Sequence, residues 1–212
     1  MSSTSPKSSA GHVSSRVLVA TAVLLLVGGI AIAANALIVY RHADRVLTVL
    51  REITPGISSD REVQDLVNEQ LLAKKPGCSV EDCTYESVFV NRWLYRLHIA
   101  SPRGFNASVV VGRGIIKSTQ VGLQGQGGRP GIAVFRYSCS KCVGDHQTYS
   151  VSFNVSGLGQ PNYAVVRLAQ DATKGEKERA YDIRLRKLCD LGNLTSGRDL
   201  APRVWEDQPD YR

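Results

Sequence analysis

The sequence predicts an α+β protein with one N-terminal transmembrane helix, then a helical hairpin, an antiparallel β-meander and a C-terminal helix. Three observations support this fold class. A run of 24 residues near the N-terminus carries no charged side chain. Apolar residues then recur at the spacing of three and four residues that is typical of helices. From Cys83 onward the alternation changes to the period of two that is typical of strands.

The uncharged run begins at Val17 and ends at Tyr40. As a helix, these residues extend about 36 Å, enough to cross a hydrocarbon core of about 30 Å with some tilt. Ala34-Asn35-Ala36 has the small-x-small form of a cleavage site, so a cleaved signal peptide is the alternative. Because the run is far longer than the apolar region of a signal peptide, we expect an uncleaved signal-anchor.

The charged flanks of the run do not decide its orientation. Lys7 and Arg16 precede it, and Arg41, Arg45 and Arg51 follow it. The positive-inside rule therefore does not indicate which end of the helix is cytoplasmic. Residues 1–16 are rich in serine and nearly devoid of apolar residues, and we expect a disordered cytoplasmic tail. The cysteines, which all follow the run, favour a domain on the outer, periplasmic side of the plasma (inner) membrane.

The remaining chain is long enough for one globular domain, which we place at residues 41–205, with a loose tail at 206–212. The 212 residues include 26 Lys plus Arg and 19 Asp plus Glu, and the part after the apolar run carries a net charge of +5. The excess is spread along the chain and is not interleaved with aromatic residues. We therefore expect no nucleic-acid partner.

Two amphipathic segments predict the helical hairpin. The first continues from the apolar run with Val46, Val49, Leu50 and Ile53 on one stripe, and residues 54–56 (TPG) end it. Residues 59–62 (SDRE) predict a capping box for a second helix that lasts until residues 74–77 (KKPG).

Six strands follow in the predicted meander. Alternation begins at Cys83, and a short glycine-containing turn at residues 112–114 predicts a hairpin. The strands are expected at residues 83–90, 105–111, 115–123, 133–137, 148–155 and 163–168. Residues 171–173 (DAT) then predict the start of a last helix that runs to about Lys187.

The five cysteines comprise two close pairs and one remaining residue. Cys78 and Cys83 form C-x4-C, Cys139 and Cys142 form C-x2-C, and Cys189 is left over. Local disulfides in an oxidising compartment are the expected state, although the spacing alone does not fix the pairing.

Two other uses of the cysteines stay open. A C-x2-C pair serves in thiol redox enzymes, but residues 139–142 lead into a turn rather than a helix, which favours a structural role. Cys139, Cys142 and His146, with Cys78 and Cys83, could instead form a zinc site if the domain were cytosolic. Hydrolase motifs of the G-x-S-x-G and H-E-x-x-H types do not occur. We therefore expect no cofactor and no catalytic residue.

Several segments together resemble a group of uncharacterised bacterial single-pass membrane-anchored proteins. They are the anchor, C-x4-C-Thr-Tyr, NRWLYRLH at 91–98, IASP at 99–102, Cys189 and RDLAPRVW at 198–205. The resemblance covers most of the chain after Arg41 and implies anchoring and an extracytoplasmic domain, but no activity. It also implies a second cysteine soon after Cys189. Residues 193–197 (NLTSG) lack one, which makes Cys189 a candidate free thiol.

These observations lead to two functional hypotheses. The first is a non-enzymatic, membrane-tethered module that binds a protein or another envelope component; its order of elements is similar to that of small envelope-assembly lipoproteins. The second is a thiol- or metal-dependent enzyme that uses Cys139, Cys142 and His146. The sequence does not identify a small-molecule ligand.

Overall fold

The computed structural model describes residues 15–79, 81–90, 93, 96, 103–125, 131–139, 142–144, 147–155, 161–188 and 197–206. The predicted cytoplasmic tail up to residue 14, most of the NRWLYRLH motif, His146, Cys189 and the last six residues lie outside this part of the chain. The chain comprises two compact units, the first ending at Ala34 and the second beginning at Asn35.

Helix α1 spans Ser15–Glu52 without interruption. It has the length and apolar composition of a membrane-crossing helix, as either a single-pass anchor or a signal sequence, with a mean hydropathy of 2.7 over its most apolar window. The last turns of α1 are amphipathic instead of uniformly apolar. Ala43, Val46 and Leu50 are fully buried, whereas Arg41 and Arg45 are exposed. One stripe of this segment therefore packs into the core of the folded domain.

Helix α2, Arg61–Asn68, is shorter than the sequence predicts, and a helical hairpin is not clearly formed. Gln70 adopts a positive φ of 59°, and Leu71 donates from its amide to the carbonyl oxygen of Leu66 at 2.8 Å. This Schellman-type ending turns the chain so that Leu71 and Leu72 enter the core. The predicted capping box is half formed: Glu62 accepts from the Ser59 amide, but no side chain caps the helix.

Within the described residues, seven strands form one sheet in the order β1-β2-β3-β4-β5-β7-β6. They are β1 Ala73–Lys74, β2 Cys83–Val90, β3 Arg103–Gly112, β4 Ile115–Gly125, β5 Gly131–Tyr137, β6 Tyr149–Val155 and β7 Pro161–Leu168. The six predicted strands are present within one to two residues at most ends, and the two-residue β1 is an additional strand.

The sheet departs from a meander at one place. Strand β7 pairs with β5 in parallel, and β6 takes the edge. The two strands differ on the face turned away from the helices, where β7 carries Tyr163 and Val165 and β6 carries Ser150 and Ser152. The more apolar strand takes the interior position, where both of its neighbours cover it.

On the sheet face that packs against the helices, paired residues of neighbouring strands form rows that run across the sheet. From β3 to β6 the first two rows are apolar; in them Phe105 pairs with Leu123, and Val121 pairs with Val134. Over the same strands the third row consists of Val109, Thr119, Arg136, Leu168 and Tyr149. This third row therefore brings polar side chains into the core.

The predicted C-terminal helix is shorter than expected. Helix α3 covers Lys174–Ala180, and a full capping box between Thr173 and Glu176 fixes its start. After it, the chain runs on to a 3-10 turn at Leu185–Leu188, and a second 3-10 turn (Gly197–Asp199) precedes helix α4, Pro202–Trp205. Trp205 is buried against Phe153, with ring centroids 5.0 Å apart, so this end of the chain is part of the domain.

Candidate functional site

A groove of about 510 Å³ lies between the last turns of α1 and the segment that follows α3. Its volume falls within the range of small-molecule sites, roughly 300–1,000 Å³. Helix α1 contributes Tyr40, Asp44, Leu47, Thr48 and Arg51, and the opposite side consists of residues 181–187. The spacing of the α1 residues, four, three, one and three, places them on one helix face. We call this feature the groove.

The two sides of the groove are joined by a hydrogen bond. Arg51 donates from Nη2 to the backbone carbonyl oxygen of Tyr181 at 3.0 Å. Tyr181 follows the last residue of α3 and is only 1% exposed. The bond therefore fixes the spacing of α1 from the segment after α3.

A cluster of buried polar side chains lies beneath this contact. It consists of Tyr181 together with Thr119 and Arg136 from the third row of the sheet. Burial raises the pKa of the Tyr181 hydroxyl, and the facing Thr119 side chain opposes this only in part. Neither hydroxyl makes a hydrogen bond of normal geometry with another described residue. Burial likewise lowers the pKa of Arg136, which lies in the same row as Thr119. The Tyr181 hydroxyl therefore stays neutral at physiological pH.

On the other side of the groove, buried and exposed residues alternate along the chain. Ile183 and Leu185 are buried, whereas Arg184 and Arg186 are exposed. The amide of Arg184 donates to the carbonyl oxygen of Leu200 at 2.8 Å and so ties this segment to the end of the chain. The alternation keeps both guanidinium groups at the surface while the backbone is held from below.

The described lining of the groove carries more positive than negative charge. Four of these residues are basic, and two, Asp44 and Asp182, are acidic. Asp182 is paired with Arg203 outside the groove, with 3.5 Å between Oδ2 and Nε. Its charge is therefore partly offset, and Asp44 is the main negative group on the α1 side.

The two cysteine pairs lie at disulfide-bonding distance, away from the groove. The Cα atoms are 4.3 Å apart for Cys78 and Cys83 and 5.5 Å apart for Cys139 and Cys142. Both pairs sit at the same end of the sheet, at the start of β2 and just after β5. Two strands separate β2 from β5, so the pairs are about 14 Å apart across the sheet.

The zinc site predicted from Cys139, Cys142 and His146 stays a prediction, because His146 lies outside the described residues. No group of three or more His, Cys, Asp or Glu side chains within the described chain could hold a metal ion. His146 and the candidate free thiol Cys189 fall outside the described residues.

Comparison of the chain with protein-family models, with curated proteins and with solved structures gave no match. The interpretation of the groove therefore depends on its own geometry. Sequence reasoning missed this site because its two sides are more than 120 residues apart in the chain. The sequence did contain a signal for the polar cluster beneath the groove: in β5 the alternation Ile132, Val134, Arg136 places a cation where an apolar side chain is expected.

Proposed function

We propose that this protein is a single-pass membrane protein whose domain binds an envelope component through the groove, without catalysing a reaction. The observation that carries this proposal is the position of the groove on helix α1. Tyr40, the last residue of the uncharged run, is also the first groove residue. At 1.5 Å per residue, Asp44 lies about 6 Å and Arg51 about 17 Å farther along the helix.

The proposed topology has residues 1–16 in the cytoplasm, residues 17–40 in the inner membrane as an uncleaved anchor, and residues 41–205 in the periplasm. Two facts support it. Helix α1 continues without a break from the apolar run into the core. The cysteine pairs at disulfide distance indicate an oxidising compartment.

Site-specific photo-crosslinking in intact cells tests the binding proposal. A photoreactive amino acid replaces Thr48, which is exposed in the groove, and a matched control replaces Gln64, which is exposed on α2 outside it. We expect an envelope lipid or an envelope protein to be crosslinked at position 48 and not at position 64. Equal products at both positions, or none at 48, would contradict the proposal.

The second candidate, a thiol enzyme, is favoured by one observation: Cys139 and Cys142 are both exposed, whereas Cys83 of the other pair is buried. Exposed disulfides tend to be more easily reduced than buried structural ones. Measuring the reduction potential of the Cys139–Cys142 pair separates the two functions. A potential below about −300 mV indicates a structural disulfide, and one near −180 mV or above supports redox catalysis.

A further inference from the structure

We infer that the groove binds the phosphate group of an anionic membrane lipid. This inference rests on the proposed function, because it names the ligand class of the same groove. It uses two features together: the exposed guanidinium groups of Arg184 and Arg186, and the start of the groove at the membrane end of the domain-forming part of α1.

The membrane end of the groove, from Tyr40 to Asp44, lies at the depth of the headgroup layer. The polar layer on each side of the hydrocarbon core is about 5–7 Å thick. With the uncharged run in the core, the stretch of α1 from Tyr40 to Asp44 spans this layer. A tyrosine at this depth is typical of the membrane interface. A ligand that enters beside Tyr40 therefore approaches from the lipid surface.

The charges that face the ligand select an anion. Arg184 and Arg186 present planar guanidinium groups, which bind phosphate oxygens with paired N–H donors. Arg51 already donates a hydrogen bond to the Tyr181 carbonyl oxygen. Its main contribution to anion binding is therefore its positive charge rather than its hydrogen-bond donors. Asp44 opposes an anion from the α1 side. It therefore provides an internal check, since its removal changes affinity in the opposite direction.

The apolar lining accommodates the rest of an amphiphile. Leu47, Ile183 and Leu185 also line the groove, although most of their surface is buried in the core. The groove thus combines cationic groups with a limited apolar surface. A lipid headgroup, with its phosphate next to the glycerol backbone, has this combination of charge and apolar surface, whereas inorganic phosphate has only the charge.

Lipid titration of the full chain tests the inference. The protein is purified in a non-ionic detergent and titrated with phosphatidylglycerol or phosphatidylcholine of the same acyl chains, and native mass spectrometry measures the lipid-bound fraction. We expect a preference of about tenfold or more for phosphatidylglycerol at low salt, reduced at high salt because screening weakens the attraction.

Two variants with equal loss of charge decide where the lipid binds. The variant Arg184→Gln/Arg186→Gln removes two groove cations, and we expect phosphatidylglycerol to bind about 30-fold more weakly. The control Arg61→Gln/Arg113→Gln removes the same charge at exposed positions that do not line the groove, and it retains wild-type binding. Asp44→Asn raises the affinity about fivefold. Thermal unfolding confirms that each variant is folded.

The remaining results each have a defined meaning. Equal binding of both lipids, or equal weakening by the groove and control variants, overturns the inference. Displacement of phosphatidylglycerol by inorganic phosphate at 1 mM or less also overturns it, since the site would then belong to a soluble phosphate. If crosslinking from position 48 captures an envelope protein while the lipid preference is absent, the lipid inference fails but the binding function stands. If neither is found, both fail.

Discussion

Arg136, in the middle of the sheet, donates a hydrogen bond from its guanidinium group to the backbone carbonyl oxygen of Ile53, the residue after the end of helix α1. The same guanidinium group donates to the Thr54 hydroxyl at 3.2 Å. The last carbonyl groups of a helix lack partners within the helix and carry partial negative charge. Arg136 satisfies them from within the core, although it is only 1% exposed.

None of the ion pairs among the described residues includes Arg136. Its charge is therefore compensated by backbone dipoles at the end of α1. A buried cation of this kind is costly to desolvate, and removing it leaves its acceptors without partners. It connects the end of helix α1 to the centre of the sheet.

We predict that Arg136→Met lowers the free energy of unfolding by about 3 kcal/mol, because the Ile53 carbonyl and the Thr54 hydroxyl lose a charged donor inside the core. Denaturant unfolding of the full chain in detergent, followed by the fluorescence of the buried Trp205, measures the change. The matched control is Arg167→Met, on the neighbouring strand.

Arg167 points to the opposite face of the sheet, is half-buried, and donates to the Ser152 hydroxyl at 2.9 Å. Its replacement costs about 1 kcal/mol, the value of one ordinary hydrogen bond. Equal losses in the two variants would show that the position of Arg136 under the helix end has no special role.

The capping box of α3 predicts a pH dependence of stability. Desolvation raises the pKa of Glu176, but hydrogen bonds from the Thr173 amide and hydroxyl and from the Thr148 hydroxyl outweigh it, so the net pKa is below its ordinary value. A carboxyl group with a lowered folded pKa stabilises the fold above its unfolded pKa, about 4.3, and this contribution is lost as the pH falls through the folded pKa.

We therefore expect Glu176→Gln to destabilise the domain by about 1 kcal/mol at pH 7 and by less at pH 3, because the wild-type carboxyl takes up protons as the pH falls through its folded pKa. Unfolding curves at both pH values provide the measurement. Glu178→Gln is the control, since Glu178 is exposed and forms a surface ion pair with Lys174 at 3.8 Å. Its effect stays below about 0.5 kcal/mol. A loss for Glu176→Gln that is the same at both pH values would disprove the role of the charge.

The continuity of α1 predicts the fate of the apolar run. Cleavage after Ala36 would remove most of the apolar helix but leave the core residues Ala43 to Leu50 in place. We predict that the mature protein keeps residues 17–40 and resists extraction from membranes by alkaline carbonate. Intact-mass measurement of the membrane fraction checks both points. A mature chain that begins at Leu37 and is released by carbonate would identify a signal peptide instead.

Local patterns were sufficient to predict most of the elements, because each strand shows its own alternation. The parallel pairing of β5 with β7 was not predictable in this way. It depends on which of the two strands, β6 or β7, is the more apolar and so takes the interior position. That requires the two segments to be compared, and the pattern of one segment alone does not show it. The end of α2 was also missed, because Gln70 adopts a left-handed conformation that is usually left to glycine or asparagine. The groove depends on a contact between Arg51 and Tyr181, which no local pattern contains.

The cysteine pairs predict both compartment and stability. In intact cells, a membrane-impermeant maleimide should label Cys78, Cys83, Cys139 and Cys142 only after reduction, since each pair lies at disulfide distance. Each disulfide closes a short loop, so replacing either pair with serine should cost about 2 kcal/mol through the entropy of the unfolded chain. The two double variants serve as controls for each other, because the two cysteine pairs lie at the same end of the sheet but on different strands. If labelling of free thiols instead requires cell lysis, the domain is cytosolic, and a metal site that uses these cysteines becomes the better hypothesis.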